Sequence, residues 1–270
     1  MKDLLKRTVT GAVYVLSVIL AICIDARISS VYFGIVALLA VHEFVSITTK
    51  NLQKLNAILT YLTAASVYAT VALYSFGVNH LITLALAVLG ILALFITELY
   101  GKDKNPFTSI SYSLCGLIYI VLPLSLTNFI IQTGGGFEPY LLLAVFIFAW
   151  CNDTFAYLVG SKFGRHKLFE RHSPKKSWEG FFGGFVATLV AALIMNRCVD
   201  GFVWWDWMAL AVITTVVGTF GDLTESMFKR QMGVKDSGRI LPGHGGILDR
   251  FDILLAVLPV AWVYLILAVN

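Results

Sequence analysis

Charge is scarce in this sequence. Of its 270 residues, 13% are Asp, Glu, Lys or Arg and 58% are hydrophobic, whereas soluble domains carry roughly 25% charged residues. So few polar side chains cannot clothe a water-soluble globule, which leaves lipid as the solvent. Cysteine is scarce too. Cys23, Cys115, Cys151 and Cys198 are widely spaced and form no CxxC pair, so neither a disulfide framework nor a zinc site is expected. Strand-like alternation is missing, since the apolar runs are continuous. That excludes a membrane β-barrel and leaves helices, whose backbone is satisfied internally. The first apolar run lacks a small-x-small cleavage site; it ends in Cys23-Ile24-Asp25, and more apolar sequence follows at once. It reads as a retained anchor rather than a secretory leader.

What is present is a series of apolar stretches near the roughly 20 residues that span a bilayer. Nine occur, at 9–26, 28–47, 55–75, 80–98, 108–132, 139–160, 180–197, 204–227 and 252–269. The expected fold class is all-α, a polytopic integral membrane protein with about nine transmembrane helices. Assigning successive connections to alternate sides puts eighteen of the twenty Lys and Arg on one side, leaving only Arg27 and Arg197 on the other. Lys2, Lys6, Arg7, Lys50, Lys54, Lys102 and Lys104 are among the eighteen. The rest lie between 162 and 176 and between 229 and 250. Basic residues stay cytoplasmic, so the N-terminus is expected inside and the C-terminus outside. A one-sided basic face suits anionic headgroups and nucleotides. The net charge of +4 makes no case for nucleic acid.

Residue character divides the chain at about 105. Residues 1–105 read as an N-terminal transmembrane region of plain spans. His42-Glu43 lies in the second span, but Ser46 stands four after His42, so there is no HExxH. A buried, paired or interface role is expected there, and a solvated carboxylate for Glu98. Residues 106–270 read as a catalytic transmembrane region, with polar residues in the spans and two basic, glycine-bearing loops, 160–180 and 231–249.

Four carboxylates, at three places in the chain, are the candidates for the chemistry. Asp153 lies in the run Asn152-Asp153-Thr154-Phe155-Ala156-Tyr157; a carboxylate in a span costs at least about 2.5–3.5 kcal/mol unless it finds a partner or water. Ala156, Tyr157 and Gly160 share its helical face. Asp222 begins a polar stripe through Ser226, Lys229 and Arg230, at i+4, i+7 and i+8, which leaves Glu225 off the stripe. A carboxylate at the deep end and cations at the mouth suit a metal-bridged phosphate. Asp249 and Asp252 stand three apart at the start of the last span, on one side of a helix, where plain capping is the alternative. Hard carboxylate oxygens suit Mg²⁺ together with substrate phosphates. Gly245 and Gly246 offer backbone N–H groups to phosphate oxygens.

The run Ser226-Met227-Phe228-Lys229-Arg230, then Lys235-Asp236-Ser237-Gly238, then Leu241-Pro242-Gly243-His244-Gly245-Gly246-Ile247-Leu248-Asp249-Arg250-Phe251-Asp252 resembles the signature of the phosphatidate cytidylyltransferase family, also called CDP-diacylglycerol synthases. The segments 152–157 and 173–180 resemble further family motifs, and residues before about 105 resemble it only in hydropathy. The resemblance implies CTP and phosphatidic acid as substrates, Mg²⁺ with K⁺ beside it as a further implication, a homodimer, and a place in the cell membrane with the active site on the cytoplasmic side. Asp222 and Asp249 are the expected metal ligands and catalytic carboxylates, with Asp252 and Asp153 as ligands or support. Lys175, Lys176, Ser177, Lys229, Arg230, Lys235, Asp236, His244, Gly245, Gly246 and Arg250 are the expected substrate-binding residues. A CTP-using kinase of an isoprenoid alcohol shares the same logic. A transporter needs no basic, glycine-rich loops beside its carboxylates, and a scaffold explains only the spans. The DGx2ARx8Gx3Dx3D motif of CDP-alcohol phosphatidyltransferases is missing.

Overall fold

The computed structural model describes residues 2–48, 54–101 and 105–269. Lys50, Lys102 and Lys104, used above for sidedness, lie outside the described residues. Among these residues nine segments are long and apolar enough to cross a membrane, and the chain is an all-α polytopic integral membrane protein. Four long helices come first: α1 Lys2–Ile24, α2 Ala26–Thr48, α3 Lys54–Ser75 and α4 Leu81–Leu99. The fifth span is assembled from α5 Pro106–Gly116, a π turn Leu117–Val121, α6 Leu122–Ser125 and α7 Thr127–Ile130. Then follow α8 Pro139–Phe163, a hairpin of β1 Lys167–Phe169 and β2 Ser173–Ser177, α9 Trp178–Cys198, α10 Trp204–Gln231 and α11 Leu248–Val269.

The chain falls into two compact units. One is Met1–Gln132 with Asp236–Arg250; the other is Thr133–Lys235 with Phe251–Asn270. These borders follow packing, whereas the division at 105 followed polarity.

In the first unit α2 is the central helix. Phe33, Ala37, Ala40, Val41 and Phe44 are buried, while Ile82, Leu84 and Val88 of α4 stay exposed, as lipid-facing positions should. The Tyr68 hydroxyl ties α3 to α2 by donating to the Ser30 carbonyl at 2.8 Å. Glu98 is buried and accepts a hydrogen bond from Asn56, so the solvated carboxylate expected there is instead part of a helix-to-helix polar contact. The fifth span is interrupted because Pro123 has no N–H to give. The Leu122 N–H reaches back five residues to Leu117 O, the signature of a π turn. The Ser125 and Thr127 hydroxyls also donate to Leu122 O and Leu124 O, each at 2.7 Å.

In the second unit α8 packs on α9, and α10 on both. α10 and α11 run antiparallel. The Tyr264 hydroxyl donates to Asp206 at 2.7 Å near one end, and Gly218 and Gly221 meet Ile253 and Ala256 further along. The hairpin is antiparallel, with Lys167 opposite Ser177. It replaces part of what the sequence suggested was open loop.

Candidate active site

The second unit holds the densest set of predicted residues. Ser177 ends β2 and begins α9. Its Oγ accepts the Gly180 N–H at 3.2 Å, a regular N-cap for an otherwise orphaned donor. Gly180 then lies against α8, where a Cβ would stand 2.7 Å from the Ala156 carbonyl oxygen. Gly184, one turn on, would meet the Asn152 carbonyl at 2.8 Å. Small residues at helix crossings allow backbones to touch in lipid. This seam sets Asp153 of α8 opposite the strand that carries Lys175 and Lys176.

Between them is a cavity of about 510 Å³, within the roughly 300–1,000 Å³ usual for small-molecule sites. Asp153 lines it from α8, Lys167, Lys175 and Lys176 from the hairpin, and Asp222 from α10. Tyr157 and Phe181 add aromatic surface to its lining. Lys176 forms an ion pair with Asp222, whose other oxygen accepts the Ser226 hydroxyl at 3.2 Å. Ser226 thus lies on the stripe with Asp222, as the sequence spacing requires.

The next layer is carboxylate-rich. A Cβ at Gly221 would lie 2.9 Å from the Asp252 carbonyl oxygen, so α10 and α11 are nearly in backbone contact beside Asp222. Asp252 consequently lies within electrostatic reach of Asp222, Glu225 and Asp153. Glu225 is fully buried and pairs with Lys229 one turn on. Among the described residues no three His, Cys, Asp or Glu form a closed metal cage. Mg²⁺ asks for less, usually one or two carboxylates plus waters and substrate phosphates. The hard oxygens of Asp222 and Asp252, within electrostatic reach of each other, fit that requirement.

Of the remaining predicted residues, Arg230 and Lys235 belong to the second unit, and Asp236, His244, Gly245, Gly246, Asp249 and Arg250 lie in the first unit, on the segment 236–250. Asp249 accepts the Ser237 N–H at 2.9 Å and the Gly246 N–H at 2.7 Å, closing the segment on itself. The Gly246 amide is thereby committed to Asp249, whereas the sequence reading offered it to phosphate. Arg250 donates from Nε and Nη2 to the His244 carbonyl, at 3.1 and 2.6 Å. His244 is half-buried and faces Gly11 of α1, where a Cβ would come within 3.1 Å of the ring. Gly245 has φ +90°, a conformation reserved in practice for glycine. Burial lowers the His244 pKa from the ordinary 6.5, with the charge of Arg250 adding to the effect. Asp236, Arg230 and Lys235 are exposed.

Two residues escaped the sequence reading, and a third, Glu43, was expected to be buried or paired but without its partners. Lys167 was read only as a loop cation, yet β1 carries it to the cavity. Glu225 was set off the stripe, although its i+4 relation to Lys229 was a legible sign of pairing. Glu43 accepts the Ser237 hydroxyl at 3.0 Å and the Leu248 N–H at 2.9 Å; no local pattern joins residues so far apart in the chain.

Residues 5–268 match the model of the cytidylyltransferase family. The phosphatidate cytidylyltransferase of Staphylococcus haemolyticus is 33% identical over 263 residues, 96% of this chain and 98% of that protein. The enzyme of the same name from Staphylococcus saprophyticus is 40% identical over 190 residues, 70% of this chain and 71% of its own. That from Haemophilus influenzae is 41% identical over 186 residues, 62% of each chain. The match runs through the cavity of the second unit and the 236–250 segment of the first, and on it the chain belongs to the cytidylyltransferase family and is a nucleotidyltransferase.

Proposed function

We propose that this enzyme transfers the cytidylyl group of CTP to phosphatidate, giving CDP-diacylglycerol and pyrophosphate. The observation that carries the reading is the cavity that sets Lys167, Lys175 and Lys176 against Asp153 and Asp222, in a membrane chain so similar to enzymes named for that activity. A phosphate oxygen of phosphatidate attacks the α-phosphorus of CTP in line. One P–O bond forms, the bond to the β-phosphate breaks, and pyrophosphate leaves with the electron pair. The nucleophile is already an anion at neutral pH, so no strong base is needed.

The barriers are anion–anion repulsion and charge on the leaving group, which positioning and electrostatics lower. Lys175 and Lys176 hold phosphate oxygens, and Lys167 adds charge at the same wall. Tyr157 and Phe181 give the cavity apolar lining. Mg²⁺, held by Asp222 and Asp252 with Asp153 nearby, would neutralise phosphate charge and stabilise the departing pyrophosphate. Asp249 as a further ligand, and Lys229, Arg230, Lys235, Asp236, Ser177, His244, Gly245 and Arg250 as substrate contacts, are parts of the same proposal. So are a cytoplasmic site, a plasma-membrane location and a homodimer.

The test is incubation of purified protein with labelled CTP and phosphatidate, with and without Mg²⁺. The expected outcome is metal-dependent CDP-diacylglycerol with one pyrophosphate per lipid. Release of CDP with phosphorylation of a lipid alcohol would replace this reading with a kinase.

A further inference from the structure

A carboxylate buried in a span needs partners, and those of Glu43 are unusual. Glu43 lies in α2 and is 2% exposed. One of its oxygens, Oε2, accepts both the Ser237 hydroxyl at 3.0 Å and the Leu248 N–H at 2.9 Å. Leu248 is the first residue of α11, where N–H groups lack intrahelical acceptors and negative charge is favoured. Glu43 therefore caps a helix from outside it. Ser237 is held twice, its hydroxyl by Glu43 and its amide by Asp249 at 2.9 Å.

The neighbouring glycines fit this grip. A Cβ at Gly246 would stand 2.7 Å from the Glu43 carboxyl carbon, and one at Gly238 would stand 2.6 Å away. Real Cβ atoms do not approach so closely, so both positions are small because Glu43 fills the space. The segment in question carries Asp249, His244 and Arg250.

We propose that Glu43 is a positioning residue: its buried carboxylate fixes segment 236–250 and the start of α11 so that Asp249, His244 and Arg250 are held for the reaction. The proposal rests on the activity proposed above. Because one oxygen accepts both hydrogen bonds, geometry rather than charge is what matters. A glutamine can supply the same acceptor; an alanine cannot.

The experiment combines hydrogen exchange with CDP-diacylglycerol formation per folded molecule in Glu43→Ala, Glu43→Gln and Ser237→Ala. Glu43→Ala is expected to raise amide exchange at least 10-fold within 236–250 while α8 to α10 stay protected, and to lower kcat/KM at least 30-fold. Glu43→Gln is expected to recover activity to within 3-fold of wild type. Ser237→Ala, which removes one of the two bonds, is expected to lower kcat/KM by 3- to 10-fold, and it decides the matter if Glu43→Ala does not fold. Wild-type activity per folded molecule and unchanged exchange in Glu43→Ala would overturn the proposal, as would a Glu43→Gln variant as inactive as Glu43→Ala. The exchange arm reads the grip without the reaction. A wild-type protein that makes no CDP-diacylglycerol would sink the proposed activity while leaving the grip testable.

Discussion

Lys176, at the penultimate position of a two-stranded hairpin, forms an ion pair with Asp222 of α10, so cation and carboxylate meet at the edge of the cavity that both line. The pair costs Lys176 little of its use. A phosphate and a divalent cation arriving together give each partner a stronger counter-ion, and the pair holds both side chains in place until then.

That relationship predicts non-additive loss. Lys176→Met should lower kcat/KM by about 10- to 100-fold, equal to about 1.4–2.8 kcal/mol of transition-state stabilisation. Asp222→Asn should lower turnover by on the order of 10²–10³. The double variant should be scarcely worse than Asp222→Asn alone, because the two act as a unit. Metal-dependent turnover at matched membrane expression measures all three. Full additivity would show that the two residues serve independently.

The place of Glu225 off the Asp222 stripe would make Glu225→Gln a milder change than Asp222→Asn. Its burial and its pairing with Lys229 reverse that expectation. Glu225→Gln removes the carboxylate charge from this largely buried ion pair, and breaking such a pair costs about 3–5 kcal/mol. The expected outcome is a clear drop in folded protein after detergent extraction, alongside reduced turnover. A Glu225→Gln variant of wild-type thermal stability would contradict the pairing.

The α8–α9 seam predicts a packing failure. Gly180→Ala drives a methyl group against the Ala156 carbonyl, and that neighbour is backbone, which cannot rotate away. Overpacking of this kind costs about 1–3 kcal/mol. The Tm of Gly180→Ala in detergent should fall, and activity should fall with it as the cavity walls separate. Equal Tm values would mean that the two helices are not in the described contact.

Sidedness is testable by labelling. In a background lacking Cys23, Cys115, Cys151 and Cys198, cysteines at Pro174 and Lys235, both exposed, should resist an impermeant thiol reagent added outside intact cells and react once the membrane is opened. Ser237 would be a poor reporter, because it is buried against Glu43. Ready labelling from outside at either position would invert the proposed topology.

His244 predicts a pH dependence. Its folded pKa is depressed below 6.5 by burial, with Arg250 as the next cause. As pH falls through the unfolded value, the unfolded chain takes up a proton that the folded chain still refuses. Stability is therefore lost on acidification, starting near pH 6.5, until the folded pKa is passed. Between pH 7.5 and 5.5 the wild-type Tm should fall further than that of His244→Gln. An equal fall in both would remove His244 as the cause.

The span count and their limits were legible in the sequence because lipid sets a length and excludes charge, and both leave a one-dimensional record. The stripe from Asp222 to Ser226 was legible because the helical repeat is local. The hairpin at 167–177 was not, since three- and five-residue strands carry too little alternation to detect. Nor was the break in the fifth span, where Pro123 interrupts an otherwise continuous apolar run. Sequence alone determined the membrane class and the family. Only the tertiary structure decided that Lys176 faces Asp222, that Glu225 is buried with Lys229, and that Glu43 holds Ser237 and Leu248. Those contacts join residues on different elements or select among neighbours on one helix, and packing, not spacing, makes that choice.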